Sequence, residues 1–274
     1  MKKIFLGLFS AIIFMSCGNE NQNVSKEIIS SDSTKKADSA RVFVLPAPLQ
    51  VATWLHQYGN SPELNLLSPA DRSASQYKTD ASRALNLGML LTDLGYAGMY
   101  NQRQICLKYL SIIKQLSKDL QIENATSPTY FTRLENNYQQ PDSLSKLILT
   151  IYDEANKQLN ESHREKTAFF ITSGSFIEGL SIFLSSTKTD KISDFPKLLG
   201  QQKLMLDNLA TPLTFIAPDD ETQDLYNTFF TLQHYYEPIS VSVKNNIPVP
   251  NYSDDQLIPL RKKIVQLRDE IVKK

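Results

Sequence analysis

Cysteine is nearly absent from this chain of 274 residues. Only Cys17 and Cys106 occur, so no disulfide framework holds the fold together. Histidine is as scarce: His56, His163 and His234 are too scattered for metal-ligand spacing, and each reads as a surface or packed side chain. No cofactor or metal is expected. An excess of one charge is also missing, since 29 Lys and Arg stand against 29 Asp and Glu, which argues against a nucleic-acid surface. Glycine is thin at 9 residues, and none of them builds a phosphate-cradling loop. The stretch Gly174-Ser175-Phe176-Ile177-Glu178-Gly179 is no nucleophile elbow, because it lacks a glycine two positions after the serine and lies inside a helical pattern.

Proline is missing in a more informative way. None occurs between Ala70 and Ser127 or between Asp142 and Phe195, and both gaps carry apolar residues at intervals of three and four. After Asn101, a plausible cap, Ile105, Tyr109, Ile112, Ile113, Leu116 and Leu120 form one such stripe. After Pro141 and Asp142 the stripe repeats with Leu144, Leu147, Ile148, Ile151, Tyr152, Ala155 and Leu159, so these two segments are expected to form a helical hairpin. Further helices are expected near 47–58, 73–100, 128–138, 164–186, 196–210, 219–236 and 254–273. Only Val241 to Val249 alternates like a strand, and Pro248 and Pro250 confine it to an edge or an extended loop. The expected fold class is all-α: antiparallel helical hairpins packed as a multi-helix bundle.

Two of these segments are apolar nearly all round. Between Ala84 and Tyr100 the only charge is Asp93, and between Thr167 and Thr187 it is Glu178; the first contains Gly88, Gly95 and Gly98, the second Gly174 and Gly179. Such helices belong in the middle of a bundle, where glycine lets backbones approach. Serines and Glu178 make the second too polar to span a membrane. A carboxylate on a central helix must find donors or a proton. Two solutions are open. In the structural one, Asp93 and Glu178 accept from Tyr or Ser, or pair with Arg83, Arg103 or Arg164. In the functional one, Asp93, Tyr96, Tyr100 and Glu178 line a ligand cavity, Tyr96 and Tyr100 sharing a helix face with Asp93. A paired-carboxylate hydrolase is a variant of that second solution. The aromatic run Tyr226, Phe229, Phe230, Tyr235 and Tyr236 has helical spacing and reads as core before it reads as a ligand groove.

The N-terminus speaks to location. Lys2 and Lys3 precede a mostly apolar run from Ile4 to Met15, too short to cross a bilayer and of signal-peptide length. Phe14-Met15-Ser16-Cys17-Gly18 then resembles the lipobox of bacterial lipoproteins, with Phe14 where Leu is usual. That resemblance implies cleavage before Cys17 and its lipidation, and two or three acyl chains anchor a protein stably where one does not. Gly18 is not the aspartate that signals inner-membrane retention, which implies the outer membrane. Only Glu20 is acidic among the residues just after the cysteine, which favours the periplasmic face. Removing Lys2 and Lys3 leaves a net charge of about −2. From Asn19 to about Arg41 the chain is too polar to bury a core and reads as a tether. The expected organisation is therefore a signal peptide over 1–16, a lipidated Cys17 with flexible tether over 17–45, and a helical domain over 46–274. Cys106, beside Ile105 and Leu107, is expected to be a buried free thiol.

A second resemblance spans residues 70–185. Ala84-Leu85-Asn86-Leu87-Gly88, Asp93-Leu94-Gly95-Tyr96 and Gly174-Ser175-Phe176-Ile177-Glu178-Gly179-Leu180 are similar to recurring segments of an uncharacterised family of helical lipoproteins of Gram-negative bacteria, which implies no activity. The expectation that follows is an envelope lipoprotein acting as a binding or scaffolding component, with the membrane and an envelope protein as partners. The alternative is a small-ligand receptor or hydrolase working through Asp93 and Glu178.

Overall fold

The structure, a computed structural model, describes residues 50–58, 61–122, 141–187, 192–214, 219–244 and 247–273, with 129, 132, 133 and 136 between them. The expected signal peptide, Cys17 and tether lie outside these residues, as does most of the helix expected at 128–138. Eight α-helices are described: α1 (Gln50–Tyr58), α2 (Asp80–Met99), α3 (Arg103–Asp119), α4 (Pro141–Glu161), α5 (Glu165–Ser185), α6 (Phe195–Leu213), α7 (Asp220–Tyr236) and α8 (Asp254–Lys273). The fold is all-α, and every described residue belongs to one compact unit.

Local chemistry sets the helix ends. Thr79 starts α2 through a capping box with Ser82, so the helix begins seven residues later than the apolar spacing suggests; Ala74–Gln76 before it is a 3-10 turn. Asp219 caps α7 by accepting from the Thr222 backbone amide, and Pro196 sits in the first turn of α6, where its missing N–H costs nothing.

Three helices close on a left-handed residue that is not glycine. Asn101, Gln121 and His163 each adopt φ near +56°, and around each the chain closes a Schellman motif. After α2, Gln102 N donates to Ala97 O and Asn101 N to Gly98 O; Ile122 N to Ser117 O and Arg164 N to Leu159 O repeat the outer bond after α3 and α4. Asn101 is thus the left-handed closing residue of α2 and not the cap of α3, whose cap position falls on Gln102.

The tight turn at Asn101 folds α3 back on α2, while α4 packs on α5 and α2. These pairings, and not the expected hairpin of α3 with α4, are the main contacts of the two helices. The stretch 240–251 is also more than a single extended segment. β1 (Ser240–Lys244) and β2 (Ile247–Asn251) pair antiparallel, with Val241 opposite Pro250 and Val243 opposite Pro248. Two strands tolerate these prolines because β2 is itself an edge.

α2 and α5 form the centre. From Ala81 to Met99, α2 is buried everywhere except at Arg83 and Leu85, and α5 is buried without interruption from Ala168 to Leu184. By length and composition α5 could cross a membrane, yet its most apolar stretch is 94% buried inside the domain. The two helices touch backbone to backbone. A Cβ on Gly88 would lie 1.9 Å from the Ile171 carbonyl oxygen, and one on Gly174 would lie 1.9 Å from that of Leu85. Around this contact Ser175 Oγ donates to Gly88 O at 2.9 Å, and Thr92 Oγ1 reaches Ser175 O at 3.3 Å. The paired positions advance together, from Leu85 with Gly174 to Asp93 with Glu178, so these two helices run in the same direction.

Candidate functional site

One turn beyond the glycine contact the two central carboxyls come near each other. Asp93 on α2 and Glu178 on α5 are both 0% exposed and converge on linked partners, Asp93 on the Ser68 amide and Glu178 on Arg268, which itself bonds Ser68. Arg268 reaches them from α8. Its Nε donates to Glu178 Oε2 at 2.8 Å and its Nη2 to Oε1 at 2.6 Å, the bidentate fork that suits guanidinium to carboxylate. Nη2 also donates to Ser68 Oγ at 2.9 Å, and Nη1 to Asp269 Oδ1 at 3.0 Å, where the cluster nears solvent.

Ser68 is the fourth member. Its amide donates to Asp93 Oδ2 at 3.2 Å, its carbonyl accepts from the Tyr109 hydroxyl of α3, and its hydroxyl accepts from Arg268. Every polar group of this loop residue is therefore satisfied inside the core, as a buried backbone requires. Burial, then the Glu178 carboxylate, push the Asp93 carboxyl well above the usual aspartate range, against a smaller pull from Arg268 and Ser68. Burial works against the charge on Arg268, but its bonds to Glu178 outweigh that and hold its proton more tightly. The Tyr109 hydroxyl is pushed up by burial and by both carboxylates.

Of the four residues expected to share a cavity, the structure brings Asp93 and Glu178 together and gives Tyr96 and Tyr100 a different task. The Tyr96 hydroxyl accepts from the Glu63 amide at 3.0 Å, and its ring packs on Tyr100 with centroids 5.0 Å apart. Glu63 in turn accepts from the Thr187 amide at 3.0 Å and from the Ser186 hydroxyl at the end of α5. The shared helix face is real, and the segment 63–68 lies along it, held by Tyr96 at one end and by Asp93 at the other. His56 packs against Tyr100, while His163 and His234 sit on other elements.

The guanidinium is the residue that the sequence reading missed. Arg83 bonds Asp80 at 2.9 Å, Arg164 donates to Leu120 O at 2.6 Å, and Arg103 is exposed at the start of α3. A signal for Arg268 existed. It stands four residues after Ile264 and three before Ile271, on the buried stripe of α8 that also holds Leu257 and Leu260. The last turn of α8 is bound as firmly: Asn86 Nδ2 donates to Ile271 O at 3.2 Å, and Gln76 Nε2 to Val272 O at 3.2 Å, so side chains satisfy carbonyls that a helix end leaves open.

Chemically this arrangement is a locked charge centre. Glycoside hydrolysis needs two carboxyls about 5–9.5 Å apart with room for a sugar or a water between them. Here both are wholly buried, with Ser68 bonded to Asp93 and Arg268 to Glu178. Depressions at the surface, lined by Leu184, Ser186, Arg261 and Val265 or by Leu213, Thr222 and Tyr226, do not include either carboxylate. Among the described residues no group of His, Cys, Asp and Glu could hold a metal ion. The aromatic run divides: Phe229 and Tyr236 are core, whereas Phe230 is 60% exposed and stacks on Tyr226. Cys106 is buried, and burial pushes its thiol up to about 11, as befits a packing residue.

Comparison of the chain with family models, curated proteins and solved structures found no match.

Proposed function

We propose that this protein is a lipid-anchored component of the bacterial cell envelope that works by binding or scaffolding through its helical domain. The observation that carries the reading is the placement of Cys17: a lipobox-like cysteine ending an apolar run, followed by a polar stretch to about Arg41 and then by a folded domain. A tether of that length lets the domain work away from the bilayer that holds it. What the domain contributes is consistent with a non-catalytic role, because its most chemically distinctive groups, Asp93 and Glu178, are consumed by Ser68 and Arg268. In this reading the protein faces the periplasm from the outer membrane, and its kin are the helical lipoproteins that the segments 84–96 and 174–180 resemble.

The test is fractionation with metabolic palmitate labelling. The intact chain is expected to incorporate labelled palmitate and sediment with outer-membrane density, and Cys17→Ala to lose the label and leave the membrane fraction. A Cys17→Ala chain that fractionates like the parent refutes the anchor. Protease added outside intact cells should spare the domain; digestion there would move it to the cell surface.

A further inference from the structure

The carboxyl pair leaves an unfilled requirement. Asp93 Oδ1 is completely buried and meets no hydrogen-bond donor, and the equally buried Glu178 carboxylate lies close enough to bear on its charge. Two ionised carboxyls are both acceptors and repel each other at this depth, whereas a proton on one of them relieves the repulsion and supplies a donor. Arg268 grips both oxygens of Glu178 through its bidentate fork, which marks Glu178 as the anion and leaves Asp93 as the acid. We propose that Asp93 and Glu178 share a single proton, carried by Asp93 and donated to Glu178, and that the domain therefore takes up one proton when it folds.

The charges around the pair agree. On α8, Arg268 faces it directly, and the partly exposed Asp269 lies behind Arg268 and bonds its Nη1. On α3 the facing group is the Tyr109 hydroxyl, and on the segment before α2 they are Ser68, Tyr77 and Arg72, whose Nη1 is engaged by the Tyr77 hydroxyl at 2.8 Å. Of the two guanidiniums that face the pair, only Arg268 bonds a carboxylate; Arg72 donates to the Tyr77 hydroxyl and to the Pro69 and Val272 carbonyls, so a second buried anion there would have no ion pair of its own. Nor can the carboxylates drift apart, because α2 and α5 are fixed one turn away by the backbone contact at Gly88 and Gly174. Loss of the proton therefore acts on the stability of the whole domain.

The sign follows from linkage. The Asp93 carboxyl sits higher in the folded chain than in the unfolded one, so the folded state binds an extra proton above the ordinary aspartate value of about 3.9. That stabilisation is complete at lower pH and is lost as pH rises through the folded value of Asp93. Across this window the unfolding constant of the parent chain should rise up to about tenfold per pH unit relative to Asp93→Asn. Asparagine keeps the oxygen that accepts from Ser68 and supplies a permanent donor toward Glu178, without a titratable proton.

The deciding measurement is the infrared carbonyl band of a protonated carboxylic acid in the full chain at neutral pH, with carbon-13 aspartate used to assign it. The expected result is an acid band that shifts with the label, disappears in Asp93→Asn, and disappears in Glu178→Gln, where Asp93 becomes the only buried carboxyl left for Arg268. Absence of any aspartic-acid band in the labelled parent chain overturns the proposal without reference to a variant. So does its persistence in Asp93→Asn, or equal pH slopes of stability for the parent chain and Asp93→Asn.

Discussion

Gly88 and Gly174 occupy reciprocal positions. Each lies where the other helix brings a carbonyl, Gly88 against Ile171 O and Gly174 against Leu85 O, in each case three residues before the opposing glycine. A methyl group on either would meet backbone and not a flexible side chain, so the helices would have to separate along their whole contact. Alanine at Gly88 or at Gly174 is expected to cost at least about 3 kcal/mol, at the upper end of overpacking effects. Gly179 is the control on the same helix: its nearest neighbour is a Val51 methyl at 3.6 Å, so Gly179→Ala should be neutral or stabilising by up to about 1 kcal/mol. Urea titration of the three variants checks both expectations.

Tyr109→Phe removes one oxygen and should leave the Ser68 carbonyl buried without its donor. An unmet buried acceptor costs about 1–3 kcal/mol. The loss should concentrate in the segment 63–68, seen as faster amide exchange at Ser68 with little change on α6 and α7. Uniform acceleration across the domain would show that the segment has no such separate hold.

Asp219 supplies a pH dependence opposite in sign to that of Asp93. Hydrogen bonds from Lys166 and from Thr222 hold its carboxyl below the usual range, so its contribution is present above the ordinary aspartate value and is lost as pH falls through the lowered one. Asp219→Ala is expected to cost about 1 kcal/mol at neutral pH, the usual size of an N-cap, and to flatten the acid limb of the stability profile. Chemical denaturation carried from neutral pH to well below the ordinary aspartate value measures this, and an unchanged acid limb would assign it to other carboxyls.

Much of this architecture is written in the order of the residues. The scarcity of charge between Ala84 and Tyr100 and between Thr167 and Thr187 marks α2 and α5 as central, because a helix without a polar face has no side to give to water. The carboxylates on them were visible for the same reason. Their partner was less so: Arg268 belongs to an amphipathic helix rich in charge, and only its register against Ile264 and Ile271 separates it from its solvated neighbours. Ser68 gives no local signal at all, since its role depends on three elements that converge on it from elsewhere in the chain. Asn101 misled because asparagine suits both a helix cap and a left-handed turn, and only the bonds of Gln102 and Asn101 back into α2 decide between them.

The claim that organises this account is that the charge centre at Asp93, Glu178 and Arg268 is architectural. A double-mutant cycle on Glu178 and Arg268 tests it most directly. Arg268→Met leaves Glu178 buried without its partner and should cost about 3–5 kcal/mol, Glu178→Leu should cost less because Asp93 and Asp269 remain for Arg268, and the double replacement should recover most of the larger loss. A small cost for Arg268→Met, or single costs that simply add in the double variant, would contradict it.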